Sequence, residues 1–298
     1  MEKIQKALER ARQQRAEGEV MVARPSGPTT AGAASTQPAT APRSPGGRVN
    51  GKAPAGTAAA GVAAPTAITY RETQVVTPSE RDLGEQRVIA GLSHHDMADT
   101  FRVLRAQVIK KLEEAGHTSL AITSANRGEG KSLTSVNLAV SLAMHVNRTV
   151  LLVDTDLRRP SVHRYFGLAP DNGLVEYLSG DTPLSSCLIN PGIDRLVILP
   201  VRTPLPGSSE LLGSPRMVGL AEELRSRYPD RIVIYDLPPV LVSDDALAFL
   251  RHVESCLLVI EDNSTEKADI QRTLELLKDC RIIGSVLNKC RQKKQAYY

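Results

Sequence analysis

The chain has 298 residues, and 37 Lys or Arg against 33 Asp or Glu give it a formal net charge of +4. Nucleic-acid-binding surfaces usually combine a denser basic stripe with aromatic platforms, whereas this sequence has no Trp and three Phe, so we expect no nucleic-acid partner. No window approaches the roughly 18 apolar residues of a membrane span. The start MEKIQKALERARQQR is charged and has no apolar core, so we also expect no secretory signal.

Cysteine usage indicates a reducing compartment. The four cysteines form no CxxC pair and have no histidine at the spacing of a metal site: Cys187, Cys256, Cys280 and Cys290. We therefore expect free thiols and a cytoplasmic location.

Composition divides the chain into four predicted parts. Residues 1–17 place apolar side chains at helical spacing among charged ones, which predicts a short amphipathic helix. This helix either docks on a partner or membrane surface or has no role, because an isolated helix of this length is barely stable. Residues 18–91 are rich in Ala, Pro, Gly and Thr and predict a disordered tether. Residues 92–291 form the predicted folded domain, and residues 292–298 a flexible tail.

The folded part alternates helical and strand patterns. Apolar residues three and four apart predict a helix over residues 97–115. Six apolar strands are predicted at residues 119–123, 149–154, 195–200, 231–236, 255–261 and 282–288. Helical patterns separate them at residues 132–144, 209–228, 243–251 and 265–278. Strands that are apolar throughout and separated by helices predict an α/β fold, doubly wound around a mostly parallel sheet.

The stretch SANRGEGKS lies between the first of these strands and its helix. It has the spacing of a Walker A loop with Ala125 in place of the first Gly. Gly128 and Gly130 let backbone N–H groups face phosphate oxygens, and the next helix presents its positive N-terminus to them. Lys131 is predicted to reach the β- and γ-phosphates, and Ser132 to bind Mg²⁺. The predicted phosphate-binding residues are Ala125, Asn126, Arg127, Gly128, Glu129, Gly130, Lys131, Ser132 and Leu133.

Carboxylates end two further strands. Asp154 and Asp156 follow the strand of residues 149–154, and Asp236 ends the strand of residues 231–236. Open parallel sheets bind ligands at the carboxyl ends of their strands. One of the first two carboxylates is a candidate metal ligand and the other a candidate proton acceptor, while Asp236 has the position of a Walker B aspartate that binds Mg²⁺ through water. The alternative for the first two is a helix N-cap and a surface salt bridge.

Five segments together resemble a known family: GEGKS, LLVDTDLRRPSVHRYFG, NGLVEYLSG, SSELLGSPRM and IVIYDLPPVLVSDDA. They closely resemble the bacterial tyrosine kinases of exopolysaccharide synthesis, over about residues 96–291. The phrases YPDRIVIYD and LELLKDCRIIGSVLNKCR, with the N-terminal segment, are most similar to the exosortase-associated tyrosine autokinases within that family. The segment LLVDTDLRRP matches the second Walker box of the family, called A′.

The resemblance implies a site with assigned roles and the deviant Walker type of P-loop NTPase fold. ATP and Mg²⁺ are the implied cofactors, with Lys131 and Ser132 at the phosphates and the metal. Asp156 and Asp236 are implied to position the metal, and Asp154 to accept the proton of the tyrosine hydroxyl. Arg158 belongs to the same box, and serves either the triphosphate or the geometry of the box.

The resemblance also implies phosphorylation of tyrosines in the chain's own C-terminal tail, which here are Tyr297 and Tyr298. The alternative is that these terminal residues are simply unconstrained. Members of the family often carry a longer tyrosine cluster, so the extent of autophosphorylation is open. A tail counted from Arg291 spans at most ~18 Å, which favours transfer to a neighbouring subunit.

Further partners follow from the resemblance. The segment DTFRVLR is similar to the Glu-x-x-Arg-x-x-Arg oligomerisation motif, with Asp99 in place of Glu ahead of Arg102 and Arg105, and implies a homo-oligomer. The alternative is a solvated charged face. The family implies a separate membrane chain-length-determinant protein (a polysaccharide co-polymerase) as activator, and association with the inner membrane through it.

Two other functions remain as alternatives. Partitioning and cell-division ATPases share the predicted fold but have a signature lysine early in the loop, where this chain has Asn126 followed by Arg127. A catalytically silent ATP-binding scaffold that gates polysaccharide export is disfavoured by the intact lysine, serine and aspartates. Asn288 and Lys289 follow the last strand, either as a strand-end turn or as a reader of the nucleotide base.

Overall fold

The structure is a computed structural model that describes residues 73–92, 95, 97–180, 182–228 and 230–290. Its strands are β1 (Gln74–Val75), β2 (Ser119–Ser124), β3 (Thr149–Asp154), β4 (Ile189–Asn190), β5 (Leu196–Leu199), β6 (Arg231–Asp236), β7 (Ser255–Glu261) and β8 (Ile282–Asn288). Its α-helices are α1 (Glu80–Glu85), α2 (Ala98–Ala115), α3 (Lys131–Ala143), α4 (Val162–Tyr165), α5 (Leu174–Ser179), α6 (Ser209–Leu212), α7 (Pro215–Ser226), α8 (Asp245–Leu250) and α9 (Lys267–Leu276), with a 3₁₀ turn at Leu184–Cys187.

The strands form one sheet in the order β1-β4-β5-β3-β6-β2-β7-β8. Neighbouring strands run parallel, apart from the antiparallel pair β4 and β5. The predicted doubly wound, mostly parallel α/β fold is confirmed. Strands β2, β3 and β6 are adjacent, so the residues that end them meet at one edge of the sheet. The register places Asp154 directly beside Asp236.

Alternate residues of each strand face opposite layers of helices, as the period of a strand requires. Ile122 of β2 packs into one core with the inner faces of α2 and α3. Its neighbour Ala121 packs into a second core with α7 and with Phe249 of α8. Burial on both faces explains why β2, β3 and β6 consist of apolar residues almost throughout.

The folded part begins earlier than the predicted boundary at Leu92. Residues 73–91, assigned to the tether from their position after the Pro- and Ala-rich stretch, contain β1 and α1. A capping box between Ser79 and Asp82 starts α1, and Val88 and Ala90 are buried in the core. The predicted helix at residues 1–17, the remainder of the tether and the tail at residues 292–298 lie outside the described residues.

One predicted helix is two. The pattern at residues 209–228 is divided into α6 and α7, and Pro215 is the first residue of α7. Proline has no N–H to donate inside a helix but suits its first turn, so the interruption falls where it stands. Ser214 caps α7 by accepting a hydrogen bond from the N–H of Met217 at 3.2 Å. Within the described residues, none of the helices combines the length and the hydrophobicity of a membrane span.

Candidate active site

The loop between β2 and α3 has the backbone of a phosphate-binding loop. Gly128 and Gly130 adopt φ angles of +82° and +94°, in the left-handed region that glycine adopts without strain. Helix α3 starts at Lys131, so its first N–H groups and its positive end face the space above the loop. Thr134 Oγ1 donates to the carbonyl oxygen of Gly130 at 2.9 Å. In the first turn of α3, the carbonyl oxygen of Leu133 accepts a hydrogen bond from the side-chain amide of Asn137.

Lys131 lies among the carboxylates that end β3 and β6. Its Nζ is 2.9 Å from Asp156 Oδ2 and 3.6 Å from Asp236 Oδ2, and it donates to Ser132 Oγ at 3.1 Å. Burial alone would lower the pKa of Lys131, but Asp236 and Asp156 outweigh burial and the pKa is raised. The lysine therefore stays protonated at neutral pH, and the predicted group of Lys131, Ser132, Asp156 and Asp236 is brought together.

Asp236 has the features of a metal-binding carboxylate. It is fully buried, and its Oδ1 accepts a hydrogen bond from Ser135 Oγ at 3.0 Å. Its Oδ2 is buried and has no hydrogen-bond partner among the described residues. Burial raises the pKa of Asp236, an effect that Lys131 opposes. A buried carboxylate oxygen that, within the described part of the chain, makes no hydrogen bond and has only the Lys131 ammonium at 3.6 Å, with Ser132 and Asp156 nearby, fits a hard cation such as Mg²⁺, which takes oxygen ligands.

Asp154 is enclosed by the A′ loop, defined here as residues 155–161. Its Oδ2 accepts backbone N–H groups of Ser161 and Val162, both at 3.0 Å, and its Oδ1 accepts that of Asp156 at 3.2 Å. The side chain is fully buried. Burial, reinforced by the neighbouring Asp236, raises the pKa of Asp154 to about 7. Asp154 thus shapes the A′ loop, and it does not line the cavity described next.

A cavity of about 260 Å³ lies above the loop and the carboxylates. It is lined by the phosphate-binding loop, by the A′ loop and by residues 238, 239, 242 and 243, which follow β6. Tyr165, which the sequence analysis did not single out, also lines it. Burial and the nearby Asp236 raise the pKa of this tyrosine. The cavity places Lys131 and Asp156 within reach of an entering phosphate group.

Arg158 is held by a partner that the sequence did not reveal. Its Nε and one terminal nitrogen donate to the two carboxylate oxygens of Asp245, at 2.7 and 3.1 Å. Ser208 Oγ adds a third hydrogen bond to this carboxylate at 2.7 Å. Asp245 and Ser208 are fully buried. The sequence signal for this contact was the pair of acids in the phrase VSDDA, and Asp245 of this pair lies 87 residues from Arg158.

Three side-chain contacts join the phosphate-binding loop to residues that follow β7 or end β8. Asn126 donates to Asp269 Oδ2 at 2.6 Å, and Thr265 donates to the buried Glu129 side chain at 2.7 Å. Asn288 donates to the carbonyl oxygen of Glu129 at 2.9 Å, and a Cβ on Gly130 would lie only 2.0 Å from Asn288 Nδ2. Asn126, at the position of the signature lysine of partitioning ATPases, is thus bonded within its own chain. Asn288 does more than end a strand, because it packs on the nucleotide loop.

The charged motif of α2 is divided between two environments. Asp99 and Arg102 form an ion pair on the exposed side of the helix. Arg105 instead donates to the carbonyl oxygen of Ser141 near the end of α3, at 2.8 Å. Asp99 and Arg102 remain available for the predicted subunit contact, whereas Arg105 is engaged within the chain. Tyr297 and Tyr298 lie outside the described residues.

Comparisons with known proteins agree with this geometry. A profile of the family described as "CobQ/CobB/MinD/ParA nucleotide binding domain" matches residues 120–297. A "Putative tyrosine-protein kinase CapB" from Staphylococcus aureus is 32% identical over 222 residues, which are 72% of this chain and 96% of that protein. "Tyrosine-protein kinase YwqD" from Bacillus subtilis (strain 168) is 32% identical over 203 residues, 67% of this chain and 84% of that one. The solved kinase domain of Escherichia coli tyrosine kinase ETK is similar with a TM-score of 0.64 and 28% identity, over 76% of this chain and 91% of that domain.

Proposed function

Because this chain belongs to the bacterial tyrosine kinases, we propose that it transfers the γ-phosphate of ATP, with Mg²⁺, to Tyr297 and Tyr298 of its own C-terminal tail. The observation that carries the proposal is the position of Lys131. Its ammonium lies between Asp156 and Asp236 at the floor of an open cavity, directly behind a loop whose amides face the same space. Phosphoryl transfer needs such positioning and charge neutralisation more than covalent help from the protein.

Each residue has a defined task in this proposal. The amides of the loop and the N-terminus of α3 bind the β- and γ-phosphates, and Lys131 neutralises charge on the γ-phosphate. Ser132, Asp156 and Asp236 would hold Mg²⁺, which supplies further charge neutralisation when bound. The tyrosine oxygen forms a bond to the γ-phosphorus while the bond to the bridging oxygen of ATP breaks and ADP leaves, and the hydroxyl proton passes to a carboxylate.

That proton has two candidate acceptors. Asp154, the acceptor implied by the family, has a pKa of about 7, which suits a base at neutral pH, but its oxygens are bonded to backbone amides. Asp156 lines the cavity directly. If Asp154 is the base, Asp154→Asn lowers kcat and leaves Mg²⁺ affinity intact, while Asp156→Asn raises the Mg²⁺ concentration that half-maximal activity requires. The opposite pattern assigns the proton to Asp156. Thermal unfolding of both variants controls for loss of the amide hydrogen bonds.

Incubation of the purified chain with labelled ATP and Mg²⁺ tests the activity, and mass spectrometry of tryptic peptides locates the phosphate. We expect label on Tyr297 or Tyr298 that is lost in Lys131→Met and in the double substitution of both tyrosines by Phe. Steady release of inorganic phosphate with no phosphotyrosine would refute the kinase assignment. Label on other tyrosines alone would refute only the choice of acceptor.

Transfer between subunits is a separate part of the proposal. Asn288 contacts the phosphate-binding loop, so the tail starts near the site, and the nine residues 289–297 that follow it span at most ~32 Å. Tail length therefore does not exclude transfer within one chain, contrary to the shorter reach counted from Arg291. The exposed pair of Asp99 and Arg102 on α2 is the feature that supports a homo-oligomer.

A mixture of two complementary variants tests this directly. Lys131→Met is an acceptor without activity, and the Tyr297→Phe, Tyr298→Phe chain is a donor without acceptors. Transfer between subunits predicts label on the Lys131→Met chain in the mixture. An unlabelled mixture, together with a wild-type rate per molecule that is independent of concentration, would show transfer within one chain.

We further propose that the kinase regulates exopolysaccharide polymerisation and export as a cytoplasmic protein bound peripherally to the inner membrane. The support is the family, whose implied partner is a separate membrane chain-length-determinant protein. Residues 1–17 are the proposed contact with this partner. Deletion of residues 1–17 should weaken co-purification with the partner and leave ATP binding unchanged, and undiminished co-purification would remove this contact from the proposal.

A further inference from the structure

An ion pair joins the A′ loop to the start of α8. Arg158 belongs to the A′ loop, which lines the cavity, and Asp245 is the first residue of α8, two residues after Ser243, which also lines it. The guanidinium and the carboxylate meet through two hydrogen bonds at 2.7 and 3.1 Å. This two-bond arrangement fixes orientation as well as distance, because both groups are planar.

The carboxylate side of the pair is held rigidly. Asp245 is fully buried, and Ser208 Oγ donates to its Oδ2 at 2.7 Å. The segment that leads to Ser208 is itself joined to the A′ loop, since the N–H of Leu205 donates to the carbonyl oxygen of Leu157 at 2.8 Å. The carboxylate that binds the Arg158 guanidinium is thus itself fixed within the fold.

The A′ loop also carries Asp156, a residue of the phosphate site. Asp156, two residues before Arg158, contacts Lys131 through Oδ2 at 2.9 Å and accepts the N–H of Arg159 through Oδ1 at 3.1 Å. A short loop that is fixed at Arg158 has little freedom at Asp156. Movement of Arg158 away from Asp245 would therefore shift Asp156 relative to Lys131.

Stability of the fold does not by itself explain the ion pair between Arg158 and Asp245. The Arg158 side chain is 38% exposed, so the ion pair itself adds little to stability, whereas its two hydrogen bonds to the buried Asp245 fix geometry. We propose that Asp245 and Ser208 are positioning residues for phosphoryl transfer: they hold Arg158 and, through it, keep Asp156 at a fixed position relative to Lys131. This inference rests on the proposed kinase function of the same site.

The test compares four variants of the full chain. Asp245→Asn removes the charge of the anchor, Arg158→Lys keeps the cation but loses the two-bond geometry, and Ser208→Ala removes one hydrogen bond. Asp244→Asn is the matched control, because Asp244 is the adjacent acid, its side chain is 74% exposed and it lies 3.6 Å from Arg158. Initial rates are measured against ATP and against Mg²⁺, together with thermal unfolding and the affinity for a fluorescent ATP analogue.

We expect Asp245→Asn and Arg158→Lys to lower kcat about tenfold or more, with a change below about threefold in KM for ATP, because misplacement of reacting groups acts mainly on the transition state. Both should require more Mg²⁺ for half-maximal activity. Ser208→Ala should have the same effect in weaker form, and Asp244→Asn should stay within about twofold of wild type, because exposed ion pairs contribute little.

A purely structural role predicts a lower unfolding temperature without these kinetic changes. Folded Arg158→Lys with wild-type kcat and wild-type Mg²⁺ dependence would overturn the inference, and this variant together with Ser208→Ala decides the matter if Asp245→Asn fails to fold. Failure of the proposed function is seen separately, in the wild-type chain. If that chain forms no phosphotyrosine, the same variants are compared through ADP release or through the Mg²⁺ dependence of analogue binding, with the same expected order.

Discussion

Asn137 joins the phosphate-binding helix to the segment that precedes the predicted domain boundary. Its side chain is fully buried in α3. Oδ1 accepts the N–H groups of Ile89 and Ala90 at 2.8 and 3.0 Å, and Nδ2 donates to the carbonyl oxygen of Arg87 at 2.9 Å. Replacement by Ala leaves three backbone groups of this segment without their partners. At about 1 kcal/mol for each buried hydrogen bond, the expected loss of unfolding free energy is about 3 kcal/mol.

Urea unfolding and calorimetry measure this loss. For a folded part of about 200 residues, 3 kcal/mol corresponds to a fall in Tm of about 6–12 °C. Asn147→Ala is the matched control, because Asn147 is exposed, and its effect should stay within about 0.5 kcal/mol. In a chain that starts at Leu92, Asn137→Ala should cost about 1 kcal/mol or less, because the partners at residues 87–90 are absent. A cost below about 1 kcal/mol in the longer chain would refute the reasoning, since the segment would then not be fixed by these bonds.

Three further predictions concern the loop, the pH dependence and the core. Gly130→Ala should weaken nucleotide binding and stability more than Gly128→Ala, because both glycines have positive φ but only at Gly130 would a Cβ clash with Asn288. Asn288→Ala should therefore restore part of the loss in Gly130→Ala. Equal effects of the two glycine variants would contradict this. Burial alone would raise the pKa of Glu254, but three hydrogen bonds, from two backbone N–H groups and a hydroxyl, outweigh burial and lower this pKa. The stability that Glu254 contributes is therefore present above the usual pKa of a glutamate and is lost as pH falls through its pKa in the folded state. Glu254→Gln should therefore cost about 1 kcal/mol at pH 7, and this cost should shrink as pH falls below the usual pKa of a glutamate, about 4.3, as measured by urea unfolding across this range; a pH-independent difference would contradict the assignment. Phe249→Ala should cost about 3–5 kcal/mol in urea unfolding, because the ring is fully buried against Tyr235 with centroids 4.9 Å apart, and a cost below about 1 kcal/mol would show that the core repacks.

Helices and strands with a local pattern of apolar residues could be predicted from the sequence alone. Strands such as β3 and β6 are apolar along their length because helices cover both faces, and this pattern is readable without a structure. The carboxylates at their ends could be placed together because parallel strands finish at one edge of the sheet. Helix α1 was missed although its capping residues, Ser79 and Asp82, stand in the sequence, because the low-complexity stretch before it drew the boundary too late.

Other features have no local pattern. Strands β1 and β4 contain two residues each, too few for any periodicity. The pairing of Arg158 with Asp245 joins positions 87 residues apart through the fold alone. Spacing predicted the proximity of Lys131 and Asp156, but not which of the two carboxylates of the A′ box would be enclosed by backbone amides.

Helix α3 has direct contacts with both the nucleotide loop and α2. Its first turn carries Lys131, and near its other end the Ser141 carbonyl accepts from Arg105 while the Ser141 hydroxyl donates to the carbonyl oxygen of Phe101 at 3.1 Å. Twelve of its thirteen residues are buried, so it cannot shift without moving its neighbours. If subunits associate through α2, the free energy of coupling between association and nucleotide binding is the same in both directions. A nucleotide that tightens the assembly tenfold must then itself bind tenfold more tightly to the assembled kinase than to the single chain, which corresponds to about 1.4 kcal/mol.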